Sequence, residues 1–344
     1  MPHTRRNALG IVAGATLAAC SRPALKTPPR ASAQIDVARL DREFPLLAQR
    51  AHPGAFAMGL MDLATTQTWY WNTDRAFPLA GAVAAPIAVA AMAEVDAGRL
   101  RLDEPVAFNA LDLSPPPSLI NHNFPTPPDA HKTALPAQSL ITLALHEADT
   151  TATDVLMSRI GGPGAVSAFL AAKGVTGVRV DRYWREIGVE MFGMPTFRPD
   201  WKDPAAFDAA RDLVAPAARQ SAMNHLILDP RDTATVPAAL GFLALLAGGQ
   251  LVSAGATARL LGWMSNGPPG HFAAGLPAGA SVASAGGPEP QDLGFVAAAA
   301  ELAIVTLPHG RRYALAGFLV ASTATEAARR ALFAAGARLA AAVG

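Results

Sequence analysis

The stretch at residues 77–106, FPLAGAVAAPIAVAAMAEVDAGRLRLDEPV, decides the fold that we predict for this chain. Most of it reads as one amphipathic helix that ends at Gly98, before a loop carrying Asp103, Glu104 and Pro105. Its first residues, GAVA at 81–84, have no side-chain heteroatom. Nothing in the side chains at this helix N-terminus can therefore act as a nucleophile.

Outward from this helix, hydrophobic periodicity predicts a helix and a hairpin near each end of the domain, with helices between them. A long segment, roughly residues 175–230, is expected to be irregular. The predicted helices cover residues 35–49, 139–160, 164–172, 237–247, 253–264 and 325–343, and the predicted hairpins pair residues 55–63 with 68–72 and 301–307 with 313–322.

This order indicates an α/β chain of the α+β type. We expect an antiparallel sheet built from both chain ends, residues 35–80 and about 240–344, with helices on its faces. An all-helical part, about residues 81–239, is inserted between them. The whole domain should cover residues 35–344.

The composition excludes several classes of function. The 344 residues are 51% hydrophobic and 16% charged with a formal net charge of +1, so there is no basic surface for nucleic acid. Cys20 is the only cysteine, and the eight histidines are dispersed without metal-ligand spacing. We therefore expect no metal site, no disulfide and no cofactor.

The N-terminus predicts export. A basic start, MPHTRRNA, precedes the mildly apolar LGIVAGATLAA and then Cys20. The string LAAC resembles a lipoprotein cleavage site, and TRR followed by Leu9 resembles a twin-arginine signal. We predict a signal peptide at residues 1–20, a lipid anchor on Cys20 and a tether at residues 21–34, which place the protein in the cell envelope. An ordinary secretory signal with an incidental cysteine is the alternative.

Several ordered strings from about residue 35 to the C-terminus resemble class A β-lactamases, a family of penicillin-recognising serine hydrolases. They include FPL at 77–79, PIA at 86–88, IGGP at 160–163, RDTAT at 231–235 and DLGF at 292–295. The resemblance implies three catalytic signatures, Ser-x-x-Lys, Ser-Asp-Asn and Lys-Thr-Gly. It also implies a glutamate on an Ω-loop that activates the deacylating water.

Each reactive feature departs from that pattern when the chain is aligned on these strings. The nucleophilic serine and its lysine are replaced, and tryptophan stands where the deacylating glutamate is expected. The equivalent positions are Gly81 and Ala84 for Ser-x-x-Lys, Ala148, Asp149 and Thr150 for Ser-Asp-Asn, Ser284, Ala285 and Gly286 for Lys-Thr-Gly, and Trp184 for the glutamate, with Glu186 two residues later.

Some features that the resemblance implies are retained. Arg182 and Asp232 should pin the Ω-loop through an ion pair, around a long insertion at residues 183–231. Asp149 should be a buried structural aspartate. The backbone N–H groups of Gly81 and Gly287 are expected to form an oxyanion-hole-like pair of donors.

Three hypotheses of function follow. The first is a catalytically inactive, membrane-anchored member of the family, a monomer that binds a β-lactam, a peptidoglycan-like or peptide ligand, or a protein partner. The second is an active serine hydrolase, a β-lactamase, peptidase or esterase that uses non-standard residues. The third is a structural or interaction lipoprotein whose insertion carries the function.

Overall fold

The computed structural model describes residues 34–123 and 133–343. Cys20, the signal peptide and nearly all of the tether lie outside these residues. One compact unit begins at Gln34.

The central sheet is antiparallel and joins the two ends of the domain. Strand β1 (Ala55–Asp62) lies beside β10 (Arg312–Ser322), with Ala55 opposite Val320 and Asp62 opposite Tyr313. The strand order is β2-β1-β10-β9-β7, where β2 is Thr68–Trp71, β9 is Phe295–Thr306 and β7 is Ser281–Ala285. The short β8 (Gln291–Asp292) pairs with β9. The predicted fold class is confirmed.

Helices cover both faces of the sheet. On one face, α1 (Val37–Ala48) and α12 (Glu326–Ala342) bury Phe44 and Phe333 against β1. On the other face, α10 (Val236–Ala247) packs closely on β1, since a β-carbon at Gly59 would lie 2.5 Å from Val236. Because β9 and β10 are covered on both faces, they are apolar along almost their whole length.

The helical part surrounds α2 (Ala84–Asp96), which continues a 3₁₀ turn at Ala80–Val83. The expectation of an amphipathic helix is wrong for its first nine residues, Ala84 to Met92, because all of them are buried. Alanine at most of these positions lets neighbouring elements approach from every side. Around it lie α3 (Leu119–Asn123), α4 (Ala137–His146), α5 (Thr150–Arg159), α6 (Gly162–Ala172) and α11 (Ala254–Asn266), together with the two-stranded pairs β4 (Pro105–Ala107) with β5 (Ala134–Pro136) and β3 (Phe77–Pro78) with β6 (Thr233–Ala234).

Two other expectations about helices are wrong. The helix predicted at residues 139–160 is broken between α4 and α5, because Ala148 has a φ of 51° and Asp149 starts a new helix as its N-cap. The segment predicted to be irregular contains α7 (Trp184–Glu190), α8 (Pro204–Asp212) and α9 (Pro216–Leu228). Proline in the first turn of both α8 and α9 favours a helix start.

Within residues 34–123 and 133–343, no single helix has both the length and the apolarity needed to cross a membrane. Only α5 and α6 together would reach the length, and they meet at 73°.

Candidate active site

The position of the missing nucleophile lies in a closely packed contact. Gly81 is buried in the 3₁₀ turn before α2, and its N–H donates to the carbonyl of Pro288 at 3.2 Å. A β-carbon at Gly81 would lie 2.5 Å from the backbone of Gly287, which is closer than real β-carbons approach other atoms. The backbone therefore leaves no room for a serine at this position. Ala84, one helical turn on, is 3% exposed.

Gly287 and Ala148 complete this contact, which we call the Gly81 contact (Gly81, Ala148 and Gly287). Gly287 has a φ of 151°, and a β-carbon there would lie 2.7 Å from the β-carbon of Ala148. The position that the resemblance assigns to the reacting serine, Gly81, thus lies in contact with Gly287, which in turn contacts Ala148. The expected pair of free N–H donors at Gly81 and Gly287 is not formed, because the Gly81 N–H is already bonded to Pro288.

The other positions of the second signature serve the fold. Asp149 is 1% exposed, and its carboxylate accepts from the Ser118 hydroxyl at 2.9 Å, the Ile120 N–H at 3.0 Å and the Ala152 N–H at 2.8 Å. The hydroxyl of Thr150 donates to the carbonyl of Pro115 at 2.7 Å. Both side chains are fully engaged in holding the start of α5.

Trp184 is the residue that the resemblance places where a deacylating glutamate is expected. It is 4% exposed and lies beside Pro116, Pro117 and Pro288 at a small cavity of about 180 Å³. Its indole N–H has no hydrogen-bond partner within residues 34–123 and 133–343. An indole N–H can only donate, so Trp184 cannot accept a proton from a water molecule.

Glu186 does not replace the missing glutamate. Its carboxylate accepts from the N–H of Tyr183 at 2.8 Å and so caps the start of α7. It faces a separate groove of about 530 Å³ on the insertion, which Tyr183, Arg185 and Phe197 also line.

The start of the insertion is fixed by Asp154, which the sequence analysis missed. Its carboxylate accepts from the Ser114 hydroxyl at 2.5 Å, the Trp184 N–H at 2.6 Å and the Arg185 N–H at 2.8 Å. Complete burial raises the pKa of Asp154 to about 6. The signal available in the sequence was an acid on the inward face of α5, a helix that is rich in threonine.

Arg182 and Asp232 hold the two ends of the insertion together. Arg182 Nε donates to Asp232 Oδ2 at 2.7 Å, and Asp232 Oδ1 accepts from the Arg182 N–H at 3.0 Å. Arg182 also contacts Asp229 at 3.2 Å and Glu190. The side chains of Arg182 and Asp232 are only 5% and 6% exposed, so the ion pair is largely shielded from water.

The positions of the third signature lie on and just beyond β7. Ala285 is buried, whereas Ser284 and Gly286 border a cavity of about 240 Å³. Glu301, in the middle of β9, borders the same cavity although it is only 1% exposed. The sequence analysis missed Glu301, and its signal was a lone acid inside the apolar run VAAAAELAIV.

Glu289, next to this cavity, is not the surface charge that its sequence context suggests. It pairs with Arg329 at 2.6 Å and with His271 at 2.9 Å. Burial alone would raise its pKa, but these two contacts hold the pKa of Glu289 below its usual value. No group of three or more His, Cys, Asp or Glu residues that could hold a metal ion occurs in the described parts of the chain.

Comparisons with known proteins agree with this fold. A family model described as the β-lactamase enzyme family matches residues 39–343. The VEB-1 β-lactamase of Pseudomonas aeruginosa is 29% identical over 150 residues, which are 43% of this chain and 48% of that protein. A β-lactamase of Rhodobacter capsulatus is 27% identical over 223 residues, 65% of each chain. The matches thus span less than two thirds of these relatives.

Solved structures are similar over more of the chain. A variant of the last common ancestor of Gram-negative bacteria class A β-lactamase has a TM-score of 0.68 and 26% identity, covering 88% of this chain and 97% of that one. A β-lactamase from Chitinophaga pinensis has a TM-score of 0.70 at 22% identity, covering 88% of this chain and 98% of that one. The second likeness concerns the fold alone.

Proposed function

This chain belongs to the β-lactamase enzyme family, and on that premise we propose that it is a member that binds a ligand without hydrolysing it. The observation that carries this proposal is the Gly81 contact. A serine enzyme needs a nucleophile with free space in front of it for the substrate carbonyl. Here the backbone of Gly287 fills the space where a serine side chain would begin.

The remaining chemistry supports the same proposal. Ala84 supplies no amine to take up a proton, and Trp184 supplies no carboxylate to activate water. The family reaction has two steps, acylation and deacylation. The chain therefore lacks a reactive group for each of them. The β-lactam, the peptidoglycan-like fragment and the peptide are the ligand classes that this proposal covers.

Intact-mass spectrometry tests the proposal directly. The purified full-length chain is incubated with a panel of β-lactams, and a chromogenic cephalosporin is assayed alongside. We expect an unchanged mass and no turnover, together with a rise in Tm for a ligand that binds the native state. A covalent adduct or steady turnover would overturn the proposal.

A second candidate is a hydrolase that uses Ser284. The observation that favours it is that the Ser284 side chain borders the cavity beside the Glu301 carboxyl. If an adduct does form, peptide mapping would identify this alternative by a modified Ser284. Loss of the adduct in the Ser284→Ala variant would distinguish reaction at Ser284 from incidental acylation of another residue.

Export and lipid anchoring are a separate part of the proposal, supported by the basic N-terminus and the LAAC string before Cys20. Metabolic labelling with a radioactive fatty acid should mark the full-length chain and should fail to mark Cys20→Ser. Labelling of the Cys20→Ser chain to the same extent would contradict an anchor at this residue.

A further inference from the structure

The cavity of about 240 Å³ next to the Gly81 contact has a composition of its own, and we call it the Glu301 cavity. It lies between the end of α4, the loop before β7 and the end of β7. Ala148, Ser284, Gly286 and Gly287, which occupy positions of the family signatures, all border it. The space beside these residues is thus open, whereas the space at Gly81 is filled by Gly287.

Three buried polar atoms at this cavity lack a hydrogen-bond partner within the described residues. They are Oε1 of Glu301, Nδ1 of His271 and Nε2 of His146. The other carboxylate oxygen of Glu301 accepts from the N–H of Phe272 at 3.0 Å. The Ser284 hydroxyl and the backbone N–H of His271 lie close to the Glu301 carboxyl and lower its pKa as hydrogen-bond donors, although Oε1 has no partner with full hydrogen-bond geometry. Buried polar atoms normally have partners, so this concentration indicates a site for a ligand.

The charge of the cavity is the opposite of what the family resemblance would lead one to expect. By the resemblance, a lysine that attracts a carboxylate is expected at position 284, where this chain has a serine. The carboxyl of Glu301 lies next to Ser284. Glu147 adds a second acid on the cavity wall, where Arg330 also lies but is paired with Glu326 at 2.9 Å. An anionic ligand would be repelled by Glu301 and Glu147.

The nearby arginines are engaged elsewhere. Arg329 pairs with Glu289 at 2.6 Å, and Arg330 pairs with Glu326 at 2.9 Å. His271 also uses Nε2 on Glu289, at 2.9 Å. Within residues 34–123 and 133–343, no arginine or lysine forms an ion pair with Glu301.

A buried carboxyl without a counter-ion is unfavourable when ionised. Consistent with this, burial raises the pKa of Glu301 to about 7, although the nearby His271 acts in the opposite direction. A cation that enters the cavity would supply the missing counter-charge. No group of three or more His, Cys, Asp or Glu residues that could hold a metal ion occurs among the described residues, which favours an organic cation.

We propose that the Glu301 cavity binds the primary ammonium group of a ligand, held by Glu301 with Ser284 as a further hydrogen-bond acceptor. This inference rests on the proposed non-hydrolytic function and specifies the ligand chemistry. An ammonium group has three donors and no acceptor, which matches a carboxylate oxygen and a hydroxyl oxygen.

The test uses three probes of nearly equal shape and different charge: benzylamine, benzyl alcohol and benzoate. Their affinities for the full-length chain are measured by calorimetry at pH 8. We expect benzylamine to bind at least about tenfold more tightly than the other two, because hydrogen bonds to charged groups are worth about 1.5–3 kcal/mol. Equal binding of the three, preference for benzoate, or no binding would overturn the proposal.

Variants locate the site. Glu301→Gln keeps the shape and should lower benzylamine affinity at least about tenfold without changing benzyl alcohol affinity. Glu43→Gln, which alters a half-exposed glutamate on α1, should leave both unchanged. Undiminished benzylamine binding by a folded Glu301→Gln protein would contradict the proposal.

Ser284→Lys provides a second variant that does not depend on Glu301→Gln folding. It places an ammonium group on the chain itself, next to Glu301, and should abolish benzylamine binding. If this variant instead gains benzoate binding at least about tenfold and keeps benzylamine binding, the site does not discriminate by charge as proposed. β-Lactam turnover would refute the proposed function and leave these probe results separately interpretable.

Discussion

The Gly81 contact and the buried acids Glu301 and Asp232 show different kinds of packing within one domain. The contact is made of backbone and methyl groups, and a β-carbon at Gly81 would meet Gly287 at 2.5 Å. Glu301 borders the same cavity as Gly287 and is buried. One of its carboxylate oxygens has no hydrogen-bond partner in the described parts of the chain. At the insertion, Asp232 is buried too, but it is paired with Arg182 at 2.7 Å.

The difference teaches that small and charged residues pack in separate ways. At Gly81 and Gly287, where neither residue has a side chain, the backbones lie in close contact. At the insertion, the buried charges of Arg182 and Asp232 are paired. On β9, Glu301 is buried beside Ser284 without an arginine or lysine partner among the described residues. The variants below test each kind of packing.

The largest effect is expected from removing the paired charge. Asp232→Ala leaves Arg182 partly uncompensated and removes the acceptor for the N–H groups of Asp181 and Arg182. We expect a loss of about 3–5 kcal/mol in the free energy of unfolding, measured by urea denaturation. Glu43→Ala, which breaks the exposed pair with Arg39, should cost less than about 0.5 kcal/mol. Equal losses in the two variants would show that the buried pair is not a special anchor.

The next largest effect is a dependence of the folding stability on pH, caused by the carboxyl group of Glu301. Since the pKa of Glu301 is raised to about 7 in the folded protein from an ordinary value of 4.5, the folded state holds its proton more tightly than the unfolded state. Stability from this group is present below about pH 4.5 and is lost as the pH rises through 7.

Glu301→Gln should therefore gain stability relative to the wild-type chain between pH 5 and pH 8, by up to about 3 kcal/mol. Chemical denaturation of both proteins at the two pH values measures the difference. A constant difference would mean that Glu301 does not titrate in this range.

A smaller loss is expected from crowding the neutral contact. Gly81→Ala adds one β-carbon against the backbone of Gly287 and should cost about 1–3 kcal/mol. Gly262→Ala is the matched control, because nothing lies within 4 Å of its β-carbon on α11 and alanine favours helices. It should stabilise the chain by up to about 1 kcal/mol. If both substitutions stabilise the protein, the backbones of Gly81 and Gly287 are less closely packed than the distance of 2.5 Å indicates.

The same contact predicts the outcome of restoring catalytic groups. Gly81→Ser with Ala84→Lys should be less stable than the wild-type chain and should not hydrolyse a chromogenic cephalosporin. The serine would have to displace Gly287, and Trp184 would still stand in place of the glutamate. Measurable turnover would show that the backbone can move aside.

The smallest effect separates a capping role of Glu186 from a catalytic one. Glu186→Ala removes an acceptor for the Tyr183 N–H and should cost about 0.5–1 kcal/mol by thermal or urea unfolding. Probe binding in the Glu301 cavity should not change, since Glu186 faces a separate groove. Loss of probe binding would place Glu186 in the binding site.

The sequence predicted the fold well, because the fold depends on local pattern. The two hairpins, the terminal helices and the sheet that joins the chain ends follow from periodicity and turn residues. The identity of residues 81, 84 and 184 is fixed by the sequence, and that they stand where the family has its reactive groups stays a prediction. No packing can give glycine or alanine a reactive atom.

Only the tertiary structure decided what fills the site. Whether Gly81 and Gly287 leave two free donors or close on each other depends on how the end of β7 meets α2, elements some 200 residues apart in the sequence. The same holds for Glu301. In the sequence it is a single acid in an apolar strand, and only the packing of the loop and helix over it makes it border a cavity. Sequence determines which groups exist, whereas the distances and the burial that set their charge arise from contacts between distant segments.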